Sequence, residues 1–146
     1  MILDLTTLFS DAQAITATAV STNVIDLRAT GTVYGAAAAL TRDIGKGADI
    51  PLLVTITETF NNLTSLTITI ETDDNSGFSS AKIVATSVAF TLAELAIGNR
   101  LLLPERFPVG TNERYVRLRY TVAGTAPTLG KVTAGVSFGN QTNQKG

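Results

Sequence analysis

Alternation with a period of two residues constrains this chain more than any other feature. In LLVTITETF, residues 52–60, Leu52, Val54, Ile56 and Phe60 share one side and Leu53, Thr55, Thr57 and Thr59 the other, with only Glu58 interrupting the apolar face. Leu66, Ile68 and Ile70 alternate with Thr67, Thr69 and Glu71. Val116, Leu118, Tyr120 and Val122 oppose Tyr115, Arg117, Arg119 and Thr121, and Val132, Ala134, Val136 and Phe138 repeat the pattern. Successive side chains of a strand point to opposite faces, so such runs read as half-buried strands, and β-branched residues suit the pleat. Segments 13–27 and 81–90 add two more, the first long enough to need a bulge or bend.

Helix is scarce. The best candidate is FTLAELAIG, residues 90–98, about two turns, where Thr91 and Glu94 have capping-box spacing and Gly98 stands where a helix-terminating glycine belongs. Residues 28–50 lack alternation and read as a long connection, with Pro51 setting the start of the next strand. Pro104 and Pro108 restrict any strand in residues 101–110 to an edge. The expected fold is therefore all-β: a jelly-roll or Greek-key two-sheet sandwich with one short helix. At 146 residues the chain suits a single domain, 1–146, with an N-terminal arm (about 1–12) and a loose, polar C-terminal tail (about 139–146).

Composition narrows the chemistry. The chain has no His, Cys or Trp, so thiol nucleophiles, disulfides, His or Cys metal ligands and any Ser-His-Asp triad are excluded. Charged residues are only 16%, which suits either a Thr-rich β surface or a surface covered by partner subunits. Residues 1–73 hold eight acids against three bases, and residues 74–146 hold four acids against eight bases, a polarity suited to protein contacts. The bases are not interleaved with stacking aromatics, so no nucleic-acid partner is expected. No window approaches the roughly 18 apolar residues of a membrane span, and MILDLTTLFSDAQ lacks the basic and apolar regions of a signal peptide. The expectation is a soluble chain with no membrane partner, made and kept in the cytoplasm.

Two stretches invite a functional reading. Asp73, Asp74 and Asn75, just after Glu71, offer several oxygen ligands. Counted from Asp73, the glycine and the final acid of a calcium loop fall in the wrong places, since Gly77 is fifth and Val84 twelfth. Asp, Asn, Ser and Gly are also turn formers, so a solvated hairpin tip, a partner-contacting loop and a weak cation site all stay open. In RYVRLRYTV, the outward residues Tyr115, Arg117 and Arg119 form a stripe that either pairs with acids such as Glu71 or docks a partner. Glu58, Glu71 and Asp73 have no spacing that singles out a glycosidase pair, and GKGAD, residues 45–49, is too short for a phosphate-binding loop. No catalytic, cofactor or metal site is assigned.

Four stretches, SDAQAITATAVSTNVIDL, RDIGKGADIPLLVTI, TDDNSGFSSAKIVATS and RYVRLRYTVAGTAPTLGKVTAGV, span most of residues 10–138. In that order they resemble the small capsid cement (decoration) proteins of tailed bacteriophages, of the Bordetella-podophage type. The resemblance implies a jelly-roll virion protein on the outer surface of an icosahedral capsid, without enzymatic activity or cofactor. It also implies a homodimer that clamps neighbouring subunits of the major capsid protein. It transfers no site residues; the candidate contacts from the residues themselves are Tyr115, Arg117, Arg119, Asp73, Asp74 and Asn75. Two other classes stay open, a carbohydrate-binding jelly-roll module of a phage receptor-binding apparatus and a hydrolase using Glu58 or Glu71.

Overall fold

The alternating segments become the long strands of two antiparallel sheets. The computed structural model describes residues 3–47, 49–104 and 106–138. In chain order the strands are β1 (Leu3–Ala14), β2 (Ala19–Val20), β3 (Ile25–Asp26), β4 (Leu52–Glu58), β5 (Leu63–Asp73), β6 (Lys82–Thr86), β7 (Phe90–Thr91), β8 (Tyr115–Gly124) and β9 (Lys131–Ser137). One sheet has the order β1-β9-β4; the other runs β2-β8-β5-β6, with β3 also paired to β8 and β7 to β5. β4 pairs with β9, and β5 with β8. The consecutive pairs β4/β5 and β8/β9 therefore each cross from one sheet to the other. A chain doubled on itself and rolled across two sheets has this nested pairing, which is the jelly-roll pattern.

The core lies between the sheets. Phe9, Val54, Ile56, Val132 and Ala134 from one sheet meet Leu66, Ile68, Ile70, Val116, Leu118 and Tyr120 from the other, all buried. Glu58, the odd residue on its apolar face, is accommodated by a register shift between Ile56 and Glu58. There its carboxylate accepts bonds from Lys131 Nζ at 2.7 Å and the Gly130 N–H at 3.1 Å. Gly130 itself has φ +133, and a Cβ there would fall 2.3 Å from the Phe60 ring, so only glycine lets the chain pass beneath that ring. A buried polar link also joins the sheets. The Tyr120 hydroxyl lies 2.8 Å from Ser10 Oγ, which donates to Gln13 Oε1 at 2.7 Å. Burial holds the phenol pKa above its ordinary value, so this contact is made by a neutral group.

Several local expectations change. Over its described residues the expected N-terminal arm is strand β1, hydrogen-bonded to β9 from Leu3↔Ser137 to Ala14↔Lys131. Segment 13–27 is no single bent strand; it splits into the end of β1 and the two short strands β2 and β3. The expected two-turn helix is one 3-10 turn, Leu92–Glu94. Glu94 Oε2 takes the Thr91 N–H at 2.7 Å, and Leu95 is drawn into the core immediately afterwards, which ends the turn. Among the described residues of 98–107 there are only isolated bridges, Thr55↔Arg100 and Pro51↔Arg106, and these residues line the outer edge of β4, with Ile56 N–H bonded to the Asn99 carbonyl and Leu101 N–H to that of Val54, both at 2.9 Å. Phe138, placed on the core face by alternation, lies past the end of β9 and is exposed. The expected loose tail, 139–146, lies outside the described residues. No helix among the described residues is long and apolar enough to cross a membrane.

Candidate functional site

The outer face of the β5/β8 pair is the centre of charge. Register sets Glu71 opposite Arg117 and Thr69 opposite Arg119. Arg117 Nε donates to Glu71 Oε2 at 2.7 Å, while Arg119 Nη1 stands 3.9 Å from Glu71 Oε1. One carboxylate thus faces two guanidiniums. The three side chains differ in exposure: Glu71 retains 5%, Arg117 15% and Arg119 44%. An ion pair so withdrawn from water is costly to break, because the remaining charge is left unpaired.

Residues 74–81 supply the cover. This connection between β5 and β6 folds back so that Phe78, buried and with φ +53, places its ring 4.0 Å from the Arg117 guanidinium carbon. A planar cation over an aromatic face is favourable, and the ring also shields the pair from solvent. Asp73 ties the loop down. Its carboxylate accepts the N–H groups of Asn75 and Ser80, both at 2.8 Å, and the Ser80 hydroxyl. The Asn75 N–H, with lesser help from Ser80, holds the Asp73 carboxyl below its usual range despite burial acting the other way. Asn75 Oδ1 accepts the Gly77 N–H at 2.7 Å, and Asp74 Oδ1 accepts the Arg114 N–H at 3.2 Å.

Next to this loop, Arg114 grips Asp26 through two bonds, Nε to Oδ1 at 2.8 Å and Nη2 to Oδ2 at 2.9 Å, and its guanidinium lies over the Tyr115 ring. The paired Arg114 holds the Asp26 carboxyl well below its ordinary value. Glu113 behaves oppositely: burial and then the nearby Asp74 raise its pKa.

The six residues singled out from sequence therefore divide. Arg117 and Asp73 are used inside the fold: of the two readings of the stripe, Arg117 takes the pairing with Glu71, beneath the Phe78 loop. Arg119, Asp74 and Asn75 are exposed, and Tyr115 is half-buried. Glu58 and Glu71 lie on different sheets, each already held by a cation. Among the described residues no group of three or more acids comes together as a metal site. The Phe78 cover was missed from sequence; its one signal was an aromatic residue set among turn formers.

No curated protein matches this chain. The family model named Bbp16 matches residues 9–136, which takes in both sheets and every residue of the site just described. The chain belongs to the Bbp16 family, whose name points to a Bordetella phage protein.

Proposed function

We propose that this protein is a non-enzymatic cement protein that binds the outside of an icosahedral phage capsid as a homodimer and clamps neighbouring major capsid subunits. The observation that carries the reading is the Bbp16 match across residues 9–136, essentially the whole sandwich. A clamp needs a stiff body with contact groups in fixed positions. The buried Glu71–Arg117 pair and the Asp73-tied loop supply that stiffness beneath Arg119, Asp74, Asn75 and Tyr115, which are the capsid-contact candidates. Arg117 and Asp73 act as positioning residues. Each bound copy stabilises the closed shell relative to separated subunits by mass action, and repetition over equivalent sites multiplies a modest gain. Neither nucleic acid nor membrane is a partner in this reading, and the working location is the outer surface of the virion after synthesis in the host cytoplasm.

The test is to prepare heads lacking the protein, follow DNA release on heating, and add the purified protein back. Deficient heads should release DNA at a lower temperature and recover on addition. Heads equally robust without it, or failure of the added protein to bind, would overturn the cement reading, and a glycan array would then take precedence.

A further inference from the structure

Residues 31–41 are exposed without interruption and carry no charge. They are not an open tether. The Leu40 N–H donates to the Gly31 carbonyl and the Ala36 N–H to the Val33 carbonyl, both at 2.9 Å, so the ends are pinned and the chain between them forms a closed lobe. Gly35, at φ +81, supplies the left-handed residue that the reversal needs. Val33 and Leu40 are each more than half exposed, and Tyr34, at 105%, is fully exposed.

At the base of this lobe lies its chemical complement. Ile25, Leu27, Ile44, Ile50, Phe107 and Val136 line a partly open apolar groove of about 200 Å³. Leu27 and Ile44 lie only a few residues outside the two ends of the lobe. An apolar cavity of roughly 150 Å³ is known to admit benzene, so this groove can seat one aromatic ring and leave a hydroxyl at its mouth.

We infer that the occupant is the lobe of a second copy: Tyr34 of one protomer enters the groove of the other, and the exchange is reciprocal about a two-fold axis. Tyr34 is not among the residues that line its own groove. Arg42 Nη2 donates to the Leu27 carbonyl at 3.3 Å, which joins the foot of the lobe to the groove wall, so a single two-fold contact brings each lobe to the opposite groove, the isologous arrangement of a closed dimer. Neither surface carries a charge, so docking desolvates no ion. Eleven exposed lobe residues together with the groove walls approach the about 20–30 residues a side of a standard interface. A rigid, exposed tyrosine entering an apolar pocket is also the residue type that dominates interface energetics. The inference rests on the dimeric part of the proposed function and specifies how the two copies join.

The chain has no cysteine, which makes a direct test clean. Two single variants are prepared: Ala36→Cys in the lobe and Thr7→Cys, at a residue that lines the groove. Mixed and oxidised, they should give a mixed disulfide dimer in higher yield than either alone. Tyr34→Ser should raise the dimer dissociation constant at least about tenfold, as expected on truncating an aromatic anchor, with a melting curve that matches the wild type once both are diluted to monomer. Three results would overturn the exchange: a dimer that forms no mixed cross-link and ignores Tyr34→Ser, a cross-link only within single chains carrying both cysteines, or a wild-type chain monomeric at all concentrations. Binding to deficient heads separates the two readings. A Tyr34→Ser protein that stays dimeric and still binds heads sinks the exchange alone, whereas a wild-type protein that never binds heads sinks the cement reading.

Discussion

The connection from β5 to β6 and the long connection from β3 to β4 are built from opposite residue types and end in opposite environments. The first is rich in Asp, Asn and Ser, the usual composition of a solvated tip, yet Asp73 and Phe78 are buried and the loop roofs an ion pair. The second contains a run of Ala with Val33, Tyr34 and Leu40, the usual composition of a packed segment, yet residues 31–41 are exposed throughout. A side chain's polarity gives its preference, not its partner. Asp73 is buried because N–H donors of its own loop satisfy it, and Tyr34 is exposed because its backbone closes into a lobe before reaching the body.

The comparison breaks most readily at the roofed ion pair. Arg117→Ala leaves Glu71 buried with only the more distant Arg119, and should cost about 3 kcal/mol, the lower end of the cost of breaking a buried pair. Arg119→Ala should cost less than about 1 kcal/mol, as exposed pairs do. Urea unfolding of both variants measures the contrast; equal losses would mean that the roof does not shield the pair.

Removing the roof itself comes next. Phe78→Ala should cost about 2 kcal/mol, less than truncating a fully enclosed aromatic because one face of the loop is open to water. Amide exchange at Asn75 and Ser80 should accelerate with it. A variant that unfolds at the wild-type urea midpoint would show that Phe78 lies on the pair without supporting it.

Acid sharpens the same region. The Asp73 pKa in the folded protein lies below its ordinary value of 3.8, so its contribution is present above that value and is lost as pH falls through the lower, folded one. Asp73→Asn should therefore flatten the acid limb of the stability curve. Glu113 has the opposite sign. Raised above 4.5, it favours the fold at low pH and weighs against it as pH rises through its folded value. Glu113→Gln should raise the melting temperature slightly at pH 7 and leave it unchanged near pH 3.

The smallest expected effect on stability belongs to the lobe. Replacing residues 32–39 by Gly-Gly shortens a loop whose ends already meet, so the monomer's stability should change by no more than about 0.5 kcal/mol. A large loss would show that the lobe packs on its own body, and the contrast between the two connections would disappear.

The strand faces were legible in the sequence because alternation is a local property. Leu66, Ile68, Ile70, Val116, Leu118 and Tyr120 lie inward as their spacing predicts, since a one-residue slip would place every one of them in water. The long connection 28–50 was legible in the same way, by its lack of period. β1 was not, because its register on β9 shifts three times and no steady alternation survives the bulges.

The candidate site was legible only in part. Sequence put Glu71 and the arginines on one outer face, and cross-strand pairing to Glu71 was one of its two readings. Which arginine the carboxylate takes depends on register, and register is set by the whole ladder from Leu63↔Gly124 to Asp73↔Tyr115. Whether that face meets water depends on where a loop folds. Asp73 and Ser80 are seven residues apart, and nothing in their spacing announces that one carboxylate will close the chain between them and lower Phe78 onto Arg117. Periodicity decides which way a strand's side chains point, because the pleat is built into the backbone. What covers the outward face is decided by contacts between segments far apart in the chain, and those exist only once the sheets have formed.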